Sequence, residues 1–158
     1  MKKHEDSYKT GISSITGKVV RIRHATEADM YLIEAELKKN NLSTEGIHHS
    51  QFVVATENGE LVGFGRLNKI GKDYEISCVT VVEEKRGKGI GKLIIKHLIE
   101  YSPTKLVYVI TDNVDYFEQL GFTVMKEGAK ELFDALDMAC KVSGKANTVL
   151  MAYEKSGA

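Results

Sequence analysis

The chain has no net charge, since 22 lysines and arginines offset 22 aspartates and glutamates over 158 residues. No global field draws it to nucleic acid or to an acidic membrane, so any charge that matters is local. Cysteine is scarce: Cys78 and Cys140 stand alone, with no Cys-x-x-Cys pair and no Cys/His cluster. That excludes a disulfide framework and a metal site of recognisable spacing, and it suits a reduced, cytoplasmic enzyme or binding module. No apolar stretch approaches the roughly 20 residues of a membrane span. Internal repeats and low-complexity segments are also lacking. Residues 1–17 are polar and without the apolar run of a signal peptide, and are expected to form a flexible arm. With 42% hydrophobic content, residues 18–158 suffice for one domain and one core.

What the chain does have is one concentrated motif. Lys85-Arg86-Gly87-Lys88-Gly89-Ile90-Gly91-Lys92 lies between a strand-like run at 74–82 and a helix-like run at 90–101. Glycines let bare backbone N–H groups converge on an anion, and a helix N-terminus favours negative charge there. The motif therefore points to a phosphate-bearing ligand. A Walker A loop is excluded, because Arg86 stands where its first glycine belongs and Leu93 where serine or threonine must follow the lysine. The dinucleotide fingerprint is excluded too, since Gly87, Gly89 and Gly91 space as Gly-x-Gly-x-Gly. A basic turn that merely joins a strand to a helix is the alternative reading.

Around this turn the elements alternate. Residues 19–23 read as a strand, and Thr26-Glu27-Ala28-Asp29 opens a helix ahead of Met30, Leu32, Ile33 and Leu37. Residues 40–50, which mix Asn, Ser and Gly with two histidines, suit a loop or short helix at the wall of a cleft. Strands follow at 52–56, 61–67 and 74–82, separated by Asn58-Gly59 and Gly71-Lys72, which makes an antiparallel meander. Leu93, Ile94, Ile95, Leu98 and Ile99 recur at helical spacing until Ser102-Pro103 stops the run. A buried strand at 105–111, a short helix at 114–120 and a strand at 122–125 come next. Leu132, Phe133, Leu136 and Ala139 then share one face of a helix over 130–140, and a last strand covers 147–153. The expected class is α/β (α+β): a mixed, mostly antiparallel central sheet of six to seven strands flanked by helices.

Three segments in this order resemble the GNAT family of acyl-CoA N-acyltransferases, over residues 19–154. Ile22-Arg23-His24-Ala25-Thr26-Glu27-Ala28-Asp29 is similar to the family's first strand and helix entry, with His24 where proline is common. Glu75-Ile76-Ser77-Cys78-Val79-Thr80-Val81, followed by Arg86-Gly87-Lys88-Gly89-Ile90-Gly91, resembles its fourth strand and pyrophosphate loop, with Glu83 where proline is usual. Tyr116-Phe117-Glu118-Gln119-Leu120-Gly121-Phe122 resembles its late helix and Leu-Gly-Phe turn.

The resemblance implies a single GNAT domain over 18–158 and an acetyl-CoA-dependent N-acetyltransferase. It moves acetyl to a primary amine of a small molecule or peptide by direct attack in a ternary complex, with acetyl-CoA as cosubstrate and no metal. Arg86, Gly87, Lys88, Gly89, Ile90, Gly91 and Lys92 would bind the cofactor, their N–H groups facing the pyrophosphate and the lysines adding attraction. The backbones of Val79 and Val81 would pair with the pantetheine arm, and the Val79 N–H would polarise the thioester carbonyl. Such a fixed donor is typically worth about 3 kcal/mol to the oxyanion.

Acyl transfer needs an uncharged amine, so a base must take its proton. Glu75 is the candidate, because the family often places a carboxylate on this strand; a solvent-facing strand residue is the alternative. His48 and His49 could serve instead, though a polar loop usually exposes such a pair. Cys78, without a base partner, reads as core rather than nucleophile. Phe117 stands where many members carry the tyrosine that protonates the departing thiolate, and Tyr116 points about 100° away. Absence of that tyrosine resembles the amino-acid N-acetyltransferase branch, such as N-acetylglutamate synthase domains. It also motivates an alternative, a non-catalytic acyl-CoA-binding or sensory module. No nucleic-acid or membrane partner is expected, and the Leu132/Phe133/Leu136 face is a candidate for pairing two copies as a homodimer.

Overall fold

The computed structural model describes residues 11–15 and 18–156. In chain order the elements are β1 (Gly11–Ile15), β2 (Lys18–His24), α1 (Met30–Lys39), β3 (Phe52–Glu57), β4 (Glu60–Ile70), β5 (Asp73–Val81) and α2 (Ile90–Tyr101). They continue with β6 (Leu106–Thr111), α3 (Val114–Gln119), β7 (Thr123–Val124), α4 (Lys130–Ser143) and β8 (Val149–Glu154). The chain divides into two compact units. One takes the chain as far as Arg66 together with Cys78–Tyr101, and the other takes Leu67–Ser77 and the chain from Ser102 onward.

In the first unit the strand order is β1-β2-β3-β4-β5. β1 pairs antiparallel with β2, so the stretch expected to be an arm carries a strand; residues 1–10, 16 and 17 lie outside the described residues. β3 turns into β4 through Asn58 and Gly59, both at positive φ, which is the geometry that this dipeptide favours between twisted strands. α1 buries Ile33 and Leu37 against Ala25, Phe52, Val54 and Phe64. Its entry is held by Asp29, whose carboxylate accepts the Thr26 N–H at 2.7 Å and both Arg23 Nη groups at 2.7 and 3.0 Å. The Arg23 guanidinium, helped by that N–H, holds the Asp29 carboxyl down to about 2.

α2 buries Ile90, Ile94, Ile95, Leu98 and Ile99. It lies close on β4 because Gly65 is bare there: a Cβ would sit 2.8 Å from Ile94 Cγ2 and 2.9 Å from Leu98 Cδ1. β4 and β5 are adjacent at this end, where the Val82 N–H donates to Val62 O at 2.9 Å.

In the second unit the order is β5-β6-β8-β7. β5 and β6 run parallel with Glu75 beside Tyr108, and β6, β8 and β7 pair antiparallel. The expected mixed, mostly antiparallel sheet is therefore present, with β1 as an added strand. α4 packs Leu132, fully buried, with Tyr108, Leu150 and Ala152, and Phe133 and Leu136 close over the same cluster. The face expected to pair two copies is thus occupied within the chain. Phe117 stacks edge-on against Phe122 at 5.3 Å, and Phe122 packs on Tyr153 at 5.5 Å.

Candidate active site

The glycine turn forms in the first unit, between the end of β5 and the start of α2. Gly87 and Gly89 adopt φ of 78° and 86°, a left-handed backbone that a side chain would strain. Space is open at both, so conformation and not crowding demands glycine. The first α-helical bond at this end runs from the Leu93 N–H to Gly89 O at 3.1 Å. The N–H groups of Ile90, Gly91 and Lys92 therefore precede the helical ladder and face the positive end of the dipole. Lys88 and Lys92 are exposed and form no ion pair among the described residues. Bare donors, open glycines and two uncommitted ammonium groups suit the pyrophosphate of a CoA cosubstrate.

Arg86 does something different from its neighbours. Its Nε donates to Val81 O at 2.8 Å and an Nη to Asn40 Oδ1 at 3.3 Å, so the side chain ties the turn to β5 and to the C-terminus of α1. Asn40 completes the tie, since its Nδ2 donates to Glu36 O at 2.8 Å. One lone pair of the Val81 carbonyl is thereby engaged. Lys85, at the other end of the turn, pairs with the buried Glu57 carboxylate at 2.8 Å. Asn40 was legible only as the start of the polar stretch over 40–50; nothing in its spacing joins it to Arg86.

β5 is broken next to Val79. Cys78 lies at φ 56°, a left-handed conformation that costs a non-glycine residue about 1–3 kcal/mol. The buried Thr80 braces it by donating its hydroxyl to Cys78 O at 3.2 Å. Such a break re-aims the following backbone groups, which is how a strand comes to offer an N–H to something other than its neighbour. No sequence signal marks Cys78 for positive φ. Its side chain packs against the first unit's core, in keeping with the core reading.

Glu75 is in the second unit, half-buried on β5 and in register with Tyr108. The Tyr108 phenol is raised by burial and, less, by the Asp73 carboxylate, so it stays protonated at neutral pH. The His48 Nδ1 accepts the Ser50 N–H at 3.2 Å, capping the short turn His49–Gln51. Phe117 belongs to the aromatic stack of the second unit, and burial pushes the Tyr116 phenol up. Among the described residues no group of three or more His, Cys, Asp or Glu is arranged to hold a metal, and no helix is long and apolar enough to cross a membrane.

A glycine turn that closes a strand and opens a helix, with N–H groups ahead of the helical ladder and a left-handed residue on the strand before it, offers the donors that a phosphate-bearing ligand needs. The sequence profile of the acetyltransferase (GNAT) family matches residues 19–122, and the chain belongs to that family. It is 31% identical over 71 residues to the N-alpha-acetyltransferase RimI of Mycobacterium tuberculosis, covering 41% of this chain and 45% of that one. The chain thus spans less than half the length of that curated relative. The fold is similar to N-acetylglutamate synthase of Neisseria gonorrhoeae complexed with coenzyme A and N-acetyl-glutamate, with TM-score 0.72 and 22% identity over 87% of this chain and 35% of that one. It is also similar to Rv2747 of Mycobacterium tuberculosis in complex with CoA, with TM-score 0.72 and 22% identity over 85% of this chain and 99% of the other.

Proposed function

We propose that the chain is an acetyl-CoA-dependent N-acetyltransferase that acetylates a primary amine of a small molecule or peptide by direct attack in a ternary complex. The observation that carries this reading is the turn from Arg86 to Lys92, whose glycines at positive φ leave the N–H groups of Ile90, Gly91 and Lys92 ahead of the helical ladder. Bound acetyl-CoA supplies an activated thioester. Gly87, Lys88, Gly89, Ile90, Gly91 and Lys92 hold its pyrophosphate, while Arg86 fixes the shape of the turn and, through Val81 O, the end of β5. The broken backbone at Cys78 presents the Val79 N–H to the thioester carbonyl, and Val79 and Val81 pair with the pantetheine arm.

Glu75 takes the proton from the amine, either directly or through a water. An amino-acid acceptor is favoured by the late helix, where Phe117 replaces the usual tyrosine, and by the likeness to a synthase whose complex holds N-acetyl-glutamate. Cys78 and Cys140 are not joined in a disulfide, which suits a reducing cytoplasm. Thiol release from acetyl-CoA with a panel of amino acids, polyamines and peptides tests the reading. Turnover with at least one amine is expected; CoA binding without turnover would leave an acyl-CoA-binding module instead.

A further inference from the structure

We propose that Asp73 and Tyr108 form a cation subsite in the second unit, which holds a second ammonium group of the acceptor while Glu75 serves the reacting amine. The inference rests on the acetyl-transfer reading above and narrows its acceptor to diamines and basic amino acids. Tyr108 is 6% exposed and its ring packs among Leu132, Leu150 and Ala152, yet its hydroxyl has no hydrogen-bond partner among the described residues. A tyrosine buried to this extent usually finds one. The hydroxyl is not among the unpartnered polar atoms sealed from solvent, so the ring is enclosed and its tip is open. An oxygen fixed in place by a packed ring, with its hydrogen-bonding capacity unspent, is ready for a ligand.

The charge around that tip says which ligand. Side chains alternate along β5, so Asp73 and Glu75 share one face while Ile76 is buried on the other. Tyr108 stands in register with Glu75 on the parallel neighbour β6, which sets its side chain on that same face. The Asp73 carboxylate is near enough to act on the phenol and helps it keep its proton. A second carboxylate comes from the first turn of α4: a Cβ on Gly71, just ahead of β5, would lie 3.4 Å from Glu131 Cγ. Neither Asp73 nor Glu131 has an ion pair among the described residues, and the nearby Lys130 is committed to Asp134 at 2.8 Å. All of these groups belong to the second unit.

An ammonium group has three donors and no acceptor, so it needs oxygens that can accept. Asp73 supplies the opposite charge, and the Tyr108 oxygen accepts one N–H in a direction that its packed ring fixes. A carboxylate at the same place would face Asp73 and Glu131 and be repelled, which turns the subsite against acidic acceptors. Asp73 and Glu75 lie about 7 Å apart at Cα, close to the span between the two amino groups of a short diamine or of lysine. One amino group, held charged at Asp73 and Tyr108, therefore brings the other to Glu75, which takes its proton. Tyr108 exchanges no proton in this scheme.

The test measures thiol release from acetyl-CoA with 1,4-diaminobutane and L-lysine, against butylamine and L-glutamate, which bring no second cation. The unaltered chain should prefer 1,4-diaminobutane to butylamine by about tenfold or more in kcat/KM, the size of one hydrogen bond to a charged group, and L-lysine should outrank L-glutamate. Tyr108→Phe keeps the packed ring and Asp73→Asn keeps the size of a half-buried side chain. Each should remove most of the preference for the diamine while the KM for acetyl-CoA holds. Equal use of the two amines by the unaltered chain overturns the proposal. So does a loss in the variants that strikes both amines alike, which would mean a structural role. If no probe is turned over, the acetyl-transfer reading fails, and isothermal titration with 1,4-diaminobutane judges the subsite by itself. Binding that Asp73→Asn weakens would keep it, and no binding would remove it.

Discussion

Gly89 carries a conformation as well as an open space, and the two can be separated by one methyl group. Gly89→Ala puts a Cβ at φ 86° with nothing within 4 Å, so the fold survives and the cost of about 1–2 kcal/mol falls on the shape of the turn. Isothermal titration should show CoA binding weakened about tenfold, with the Tm little changed. Glu75→Gln keeps the size of the side chain and removes the proposed base. The expected kcat falls about 100-fold or more while CoA affinity holds; retention of full turnover would return proton removal to solvent. The turn glycines were legible because they lie in a motif whose backbone conformation depends on residue type. Cys78, Thr80 and Asn40 were not, since a positive φ at cysteine or a hydroxyl on a neighbouring carbonyl leaves no trace in spacing.

Elements are placed by single contacts that can be broken one at a time. Gly65→Ala forces a methyl to within 2.9 Å of Ile94 and Leu98, so α2 must lift from β4. Overpacking of this kind costs about 1–3 kcal/mol, to be read from a chemical denaturation midpoint, and it should also weaken CoA binding because the turn rides on the helix. The entry to α1 depends on Asp29. Its pKa is lowered from an unfolded value near 3.9 to about 2, so its contribution is present above pH 4 and is lost as pH falls towards 2. Asp29→Asn should destabilise by about 1–2 kcal/mol at pH 7, with the gap to the unaltered chain closing below pH 4. The helical spacing of α4 was read correctly and its use was not. Periodicity marks an apolar face, but the partner of that face is decided by packing, and here it is Tyr108, Leu150 and Ala152. Leu136→Glu should therefore lower the Tm by several degrees with no change in particle mass by light scattering.

Over the whole molecule the formal charge is zero, so any salt dependence of cofactor binding comes from the local cations. Lys88 and Lys92 are exposed, and screening shortens to about 3 Å at 1 M salt. CoA affinity should drop several-fold between low and high ionic strength, and the double change Lys88→Gln with Lys92→Gln should flatten that slope. What the sequence determined by itself was everything governed by residue type at short range. That covers the alternating strands, the Asn-Gly hairpin, the helix over Ile90–Tyr101 and a turn whose left-handed backbone calls for glycine. The tertiary structure alone decided which groups are committed and which are left over. It tied Arg86 to Val81 and Asn40, set Cys78 of β5 at a left-handed φ, gave the α4 face to its own sheet, and left the Ser77 hydroxyl without a partner among the described residues. The Arg86–Asn40 tie and the packing of α4 depend on residues distant in the chain meeting in space, which local pattern does not encode.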